Sequence, residues 1–292
     1  MKNPKRFLWF CIKLTLLMAL MWWFLYWENN ALKLSVDEVY FQELPAALDG
    51  IRIIHLSDLH SKWFGNDQQR LVRMIEKKNP QAIVITGDAV DAHRKDEQPA
   101  LTLISHISAI APVLYVTGNH ETQLQDREGY LERVRKSGAQ VLMNESVVIP
   151  FDGGVISFAG MADHGQRSVS LKKIDTTAQE ALAEAKPGSF TILLSHRPEL
   201  FSYYAKLPVN LIFAGHAHGG QIRLPWIGGL YAPGQGFLPK YDSGAYRNDE
   251  TGQVMIVSRG LGNSEFPQRI FNRPDVRLVI LKKEQRKESN SK

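Results

Sequence analysis

Hydrophobic and polar positions fall into three regimes along the chain. The first is Phe7 to Trp27, apolar except for Lys13 and Thr15. As a helix these 21 positions span roughly 30 Å, the thickness of a bilayer core. Trp22, Trp23, Tyr26 and Trp27 gather at its far end as an interfacial aromatic belt would, and no small residues offer a signal-peptidase site there. The pattern predicts an uncleaved anchor helix within residues 1–30. Residues 31–50 read as a connector and an edge strand, Leu34 to Phe41, with rough alternation.

From Ile51 the second regime begins. Short apolar runs at Ile51 to Leu56, Ala82 to Thr86 and Val113 to Val116 predict buried strands. Helices are expected between and after them: Asp67 to Lys78, Leu101 to Ile110, and Asp126 to Lys136 before Gly138. β and α alternate with a period of about 30 residues, the signature of a layered α/β fold. In the third regime the rhythm shortens. Strands are expected at Val147 to Ile149, Val155 to Ala159, Phe190 to Leu194, Leu211 to Ala214, Val254 to Ser258 and Val276 to Leu281, with a helix at Thr176 to Ala185. No linker composition interrupts residues 51–283, which predicts one domain followed by a charged tail, 284–292.

The stretch from Gly219 to Tyr246 departs from this regularity. It is rich in glycine and contains Pro225, Pro233 and Pro239. Long irregular segments in compact domains are functional or disordered, and Trp226, Tyr231, Phe237, Tyr241 and Tyr246 argue for order. These aromatics read as the core of the loop, with a wall for an acyl chain as the other reading.

Composition adds a few exclusions. The chain has 292 residues, a net charge of +5 and one cysteine, Cys11, inside the apolar segment. Neither an internal disulfide nor a cysteine nucleophile in the folded part is possible. Basic excess sits at both ends, with Lys2, Lys5 and Arg6 before the apolar segment. By the positive-inside rule the N-terminus stays in the cytoplasm and the domain lies outside it, anchored in the inner membrane. A helix lying on the cytoplasmic face is the alternative, because Lys13 weakens the span. No basic helix or aromatic-basic repeat points to nucleic acid, and nothing implies an obligate protein partner.

Five apolar runs end in metal-binding side chains: Asp58-Leu59-His60, Gly87-Asp88-Ala89-Val90-Asp91, Gly118-Asn119-His120-Glu121, Ser195-His196 and Gly215-His216-Ala217-His218. In an open α/β sheet the loops at the carboxyl ends of strands converge on one crevice. Oxygen and imidazole donors suit manganese, iron or zinc. Two aspartates, one asparagine and four histidines among them are enough for two divalent ions sharing a carboxylate, the usual device for phosphate ester hydrolysis.

In order and spacing these segments resemble the calcineurin-like metallophosphoesterase superfamily. The resemblance spans about residues 51–281 and implies a four-layer αββα sandwich with two facing mixed sheets. It implies that one metal is held by Asp58, His60, Asp88 and His218, and the other by Asp88, Asn119, His196 and His216, with Asp88 bridging. His120 resembles the histidine that contacts the phosphate and protonates the leaving oxygen. Two ions of manganese, iron or zinc are implied, manganese being the natural choice in vitro.

The runs His216-Ala-His-Gly-Gly-Gln-Ile-Arg-Leu-Pro, Leu230-Tyr-Ala-Pro-Gly and Ser258-Arg-Gly-Leu-Gly, with the apolar N-terminus, look like a membrane-associated bacterial branch. Some of its members cleave the pyrophosphate of UDP-2,3-diacylglucosamine. The expected substrate is then a phosphorylated or nucleotide-linked lipid; a soluble nucleotide or a phosphoprotein is the alternative, and a non-catalytic scaffold a remote one.

Other polar residues carry weaker expectations. Asp91 should orient a histidine or cap a helix. His55 and His106 should be packed. His93 and His164 sit in loops that could face the site, and Arg223 and Arg259 could neutralise a second phosphate or form ion pairs.

Overall fold

The computed structural model describes residues 4–165, 169–263 and 266–284. The expected charged tail lies outside them beyond residue 284. Helix α1 (Pro4–Asn30) is followed by β1 (Lys33–Phe41), β2 (Arg52–Leu56), α2 (Gln69–Glu76), β3 (Ala82–Thr86), α3 (Gln98–Ile107), β4 (Val113–Val116), α4 (Arg127–Lys136) and β5 (Ala139–Val141). Then come β6 (Glu145–Phe151), β7 (Gly154–Gly160), α5 (Leu171–Leu182), β8 (Phe190–Leu194), α6 (Phe201–Tyr204) and β9 (Leu211–Ala214). Two small ribbons pair β10 (Arg223–Leu224) with β11 (Gly228–Gly229) and β12 (Tyr231–Ala232) with β13 (Gly236–Phe237). β14 (Gly244–Arg247), β15 (Val254–Val257) and β16 (Asp275–Lys283) complete the chain.

Two six-stranded mixed sheets result. The first has the order β1-β16-β2-β3-β4-β5 and the second β14-β15-β9-β8-β7-β6. The short central strands are apolar on both faces, and alternation sends their side chains to two different cores. Ile53, Val84 and Leu114 of the first sheet meet Phe158, Ile192 and Phe213 of the second in the layer between the sheets. Ile54, Ile83 and Tyr115 face Leu71, Leu103 and Leu131 of the helices on the first sheet's outer side. Leu193 and Ile212 face Ile174 and Tyr204 across the second. The expected four-layer αββα sandwich is thus the observed one. Truncating a fully buried residue of the middle layer such as Ile192 to Ala would cost about 2–5 kcal/mol.

The short strands match their predicted limits closely, whereas helix starts differ. Asp67 and Gln68 take left-handed backbone angles, so α2 begins at Gln69 and not at the expected cap Asp67. α3 begins three residues early, with Pro99 in its first turn, where a proline has no amide hydrogen to lose. α5 begins at Leu171, five residues early, because the Ser170 side chain accepts from the Lys173 amide. β1 pairs in parallel with β16 along nine residues, so the expected connector strand is an integral edge of the first sheet.

α1 stands apart. It is long and apolar enough to cross a membrane, and its side chains are exposed along most of its length. Among the described residues, only its C-terminal end engages the body. Buried Glu28 accepts from the Asn272 amide at 2.9 Å, and Asn29 Oδ1 accepts from the Arg269 amide at 2.8 Å. Phe24 packs on Phe271 with ring centroids 5.6 Å apart.

Candidate metal centre

All seven expected donors lie just past the carboxyl ends of strands. β2 leads to Asp58 and His60, β3 to Asp88, and β4 to Asn119 and His120. β8 leads to His196, and β9 to His216 and His218. The strands of each trio or pair run parallel, so their ends share one edge of the sandwich. Asp58, His60, Asp88, His216 and His218 all have φ between 45° and 65°. This left-handed region costs a non-glycine residue of order 1–3 kcal/mol, and it persists where packing over-determines it. Close approach demands glycine beside them: a Cβ at Gly215 would sit 1.9 Å from Ser57 Oγ, and one at Gly118 would sit 2.3 Å from Asp88 Oδ1.

The donors form two clusters, Asp58 with His60 and His218, and Asp88 with His196 and His216, all buried. One oxygen, Asp88 Oδ2, lies 3.8 Å from His60 Nε2 and 3.2 Å from His196 Nε2, and so faces both. His60 Nε2 and His218 Nε2 approach to 3.1 Å, as do His216 Nδ1 and His196 Nε2. Ring nitrogens at that separation need a proton or a cation among them. His196 donates from Nδ1 to the Thr86 carbonyl at 2.7 Å, which leaves Nε2 for the cluster. Burial opposes charge on both His196 and Asp88. The Asp88 carboxylate against the ring outweighs it, holding Asp88 ionised and raising His196 to about 10. A proton there occupies the place a cation would take. Asn119 Oδ1 is buried with no hydrogen-bond partner among the described residues. An orphaned amide oxygen beside two histidine–carboxylate clusters fits a pair of divalent cations.

His120 lies beside these clusters without joining the main two. Its Nδ1 accepts from the Ala92 amide at 3.1 Å, so its neutral ring carries its proton on Nε2. Burial lowers its pKa below the ordinary imidazole value. The ring is therefore set up to donate a hydrogen bond from Nε2 while neutral. Delivering a proton as imidazolium would require Nδ1 to give up the Ala92 contact.

The weaker expectations divide. Asp91 Oδ2 lies 3.6 Å from His60 Nδ1, and its Oδ1 accepts from the amides of His93 and Arg94. His93 lines the cavity over the metal clusters, about 480 Å³ in volume, with Asn119, His120 and Arg197. His164 does not line it; its Nε2 meets Thr177 Oγ1 at 3.2 Å. Arg223 is engaged by Asp242 at 2.8 Å, and it and Arg259 line a separate groove under Trp226. His55 is buried against Thr86 and Phe213. His106, expected to be packed, is exposed on α3.

Three residues escaped the sequence reading. Glu121 is fully buried, and its carboxylate accepts from the amides of Asp88, Ala89 and Gly118 and from the Tyr115 hydroxyl, at 2.7–2.9 Å. It ties the Asp88 turn to the Asn119 turn. Its signal was an acidic residue directly after two ligand candidates. Arg197, next to His196, makes a two-pronged ion pair with Asp163 at 2.6 and 3.0 Å and reaches the cavity. Arg269 is fully buried, reaches His218 Nδ1 at 3.5 Å, and donates to the carbonyls of Arg259, Gly262 and Asn272. No local pattern marks it.

Comparison with known proteins agrees with this geometry. The chain is 30% identical over 267 residues to YkuE of Bacillus subtilis, an uncharacterized metallophosphoesterase, covering 88% of each chain. A transmembrane protein with metallophosphoesterase domain from Danio rerio is 27% identical across 84% of this chain, which spans 56% of that longer protein. The UDP-2,3-diacylglucosamine pyrophosphatase LpxG of Chlamydia muridarum is 24% identical, covering 88% of this chain and 91% of LpxG. Residues 51–220 match the family model for calcineurin-like phosphoesterases, which bind a dinuclear divalent-metal centre. The chain belongs to the calcineurin-like phosphoesterase family and is a metal-dependent hydrolase of phosphoesters.

Proposed function

We propose that this protein is a membrane-anchored phosphohydrolase that cleaves a phosphodiester or pyrophosphate bond of a lipid-linked substrate, such as a diacylated nucleotide sugar of the kind named for LpxG. The observation that carries the reading is the seating of α1. Its end is hydrogen-bonded to Asn263, Arg269 and Asn272; Arg269 and Asn272 contact His218, and the nearby Phe266 lines the cavity over the clusters. A bilayer helix docked on the rim of a hydrolytic site has a use if the substrate resides in the bilayer. The basic residues before the apolar segment Phe7 to Trp27 favour a domain outside the cytoplasm.

In this reading Asp58, His60, Asp88 and His218 hold one divalent cation, and Asp88, Asn119, His196 and His216 the other. When bound, the two cations supply Lewis acidity toward the phosphate and a nucleophile at neutral pH. Asp91 keeps the His60 ring in orientation, and Glu121 keeps Asp88 and Asn119 in register. His120 donates its Nε2 proton in a hydrogen bond to the phosphate oxygen that gains charge. Arg197, held flat by Asp163, offers positive charge to a second phosphate at the cavity wall. Arg223 and Arg259 take no part, since they line another groove.

The test is to incubate full-length protein in detergent with manganese and a total bacterial lipid extract supplemented with nucleotide-linked lipid precursors, and to follow the mixture by mass spectrometry. Loss of a lipid phosphodiester or pyrophosphate, absent in chelator, is expected. Hydrolysis confined to soluble nucleotides or phosphopeptides would replace the lipid reading.

A further inference from the structure

Most of the exposed large apolar side chains outside α1 lie in residues 224–271. Trp226 and Ile227 form one tip, at 102% and 62% of full exposure, and Phe237 and Leu238 form another, at 83% and 64%. Phe266 and Phe271 are exposed beside them. These tips are presented by an ordered frame. Asp242 Oδ2 accepts from both Arg223 and the Gly229 amide, and the Leu230 amide donates to the Ile222 carbonyl. Trp226 and Leu238 themselves take left-handed backbone angles. A frame that holds bulky apolar residues outward at a cost in backbone strain needs something to cover them.

Continuity with α1 says what the cover is. Phe271 packs on Phe24 of α1, the Gln268 side chain donates from Nε2 to the Leu25 carbonyl at 3.1 Å, and the Arg223 backbone amide donates to the Ile270 carbonyl at 3.0 Å. The first tip is therefore joined to the foot of the apolar helix. The second is joined to the metal cavity, since Tyr231 stacks edge-on against Phe237 and lines that cavity together with Phe266. Basic side chains lie beside the first tip and the foot of α1: Arg223 (paired with Asp242), Lys240 and Arg259 line one groove with Trp226 and Ile227, and Arg273 lies over the Trp27 ring. Exposed aromatic and aliphatic tips with basic side chains close by match the acyl boundary and the anionic headgroups of a bilayer.

We infer that the Trp226–Ile227 and Phe237–Leu238 tips are a second membrane contact, which dips into the same anionic bilayer that holds α1 and sets the mouth of the metal cavity at the headgroup level. This rests on the reading of α1 as a membrane anchor and deepens the reading of a lipid-linked substrate.

Site-directed spin labelling of the full chain tests it. With Cys11→Ser as background, a nitroxide is placed at Phe237→Cys and, as control, at Asp152→Cys. Asp152 lies in the exposed β6–β7 turn, at the end of the second sheet remote from the metal turns. In vesicles of phosphatidylcholine with phosphatidylglycerol, the label at 237 should be open to oxygen and shielded from a water-soluble nickel complex, and the label at 152 the reverse. Nickel accessibility at 237 equal to that at 152 overturns the proposal. So does shielding that depends on a second copy of the chain, seen as a short 237–237 distance. A Trp226→Ser/Phe237→Ser/Leu238→Ser variant adds the functional arm, since none of the three lines the metal cavity. Hydrolysis of a diacylated pyrophosphate in vesicles should fall about tenfold while a soluble chromogenic diester is cleaved within about twofold of the parent rate. Insertion at 237 with no lipid phosphoester consumed keeps the contact and rejects the lipid substrate. Lipid hydrolysis with 237 in water does the opposite.

Discussion

The two sheets bring different chemistry to the centre and are supported in different ways. The first supplies both aspartates and the asparagine with His60 and His120; the second supplies only imidazoles, His196, His216 and His218. Each cluster takes members from both sheets, so neither sheet alone can build a site. The first sheet's turns are braced from within by Glu121, a residue of the same Asn119 turn. The second sheet's His218 turn is braced from outside, by Asn272 donating to the His218 and Gln221 carbonyls, and Asn272 in turn is held by Glu28 of α1. One half of the candidate centre is thus self-contained, while the other depends on residues far away in the chain.

The strongest test strikes the residue both halves share. Asp88→Ala removes the oxygen that faces both clusters. Metal content by mass spectrometry should fall from near two ions per chain, and turnover of bis(p-nitrophenyl) phosphate should drop to background. Full turnover in a metal-depleted variant would mean the two clusters are not the site.

The next effect separates chemistry from metal retention within the first half. His120→Ala should keep the metals and lower kcat by roughly 10²–10³, the scale for a lost hydrogen-bond donor to developing charge. His120→Gln retains an N–H donor and should recover part of that loss. Equal loss in both variants, with the alkaline limb missing from the pH profile, would instead support a proton-delivering imidazolium.

Glu121→Gln tests the internal brace. An amide cannot accept from all of the Asp88, Ala89 and Gly118 amides, so a donor would face a donor. Stability should fall by about 1–3 kcal/mol, read by thermal unfolding. Metal affinity should fall by about 10–100-fold, the usual effect of losing a support behind the ligands. An unchanged melting temperature would show that the turns hold without it.

The same contrast explains how much of the molecule was legible in its sequence. β3, β4, β8 and β9 were readable to the residue because each is a short apolar run cut off by turn residues, and the expected donors follow at once. Glu121 stood in plain view, but its carboxylate is used by amides that the sequence does not place near it. β5 was missed because three residues, one of them exposed, carry no periodic signal. Arg269 and Asn272 were illegible in principle. Their partners Asn29 and Glu28 lie more than two hundred residues away, and no local pattern encodes such a pairing. The aromatic loop 219–246 was read as a core; Tyr241 and Tyr246 do pack against the second sheet's outer cluster, whereas Trp226 and Phe237 point outward.

The smallest effect bears on the external brace. Removing residues 1–30 takes away the apolar helix, but it also takes Glu28 and Asn29, which orient Asn272 and Arg269 behind His218. Removing residues 1–22 takes most of the apolar surface and leaves those two contacts. Both shortened chains should lose membrane retention. Only the longer deletion should weaken metal binding, by about tenfold, because it frees the His218 turn while leaving the ligands themselves intact. Equilibrium dialysis of the two chains against manganese reads the difference, and hydrogen exchange at residues 216–221 should rise in the longer deletion alone. Equal affinity in both would sever α1 from the centre: the helix would then serve only to hold the protein at the membrane, and the second sheet's histidines would be as self-contained as the first sheet's carboxylates.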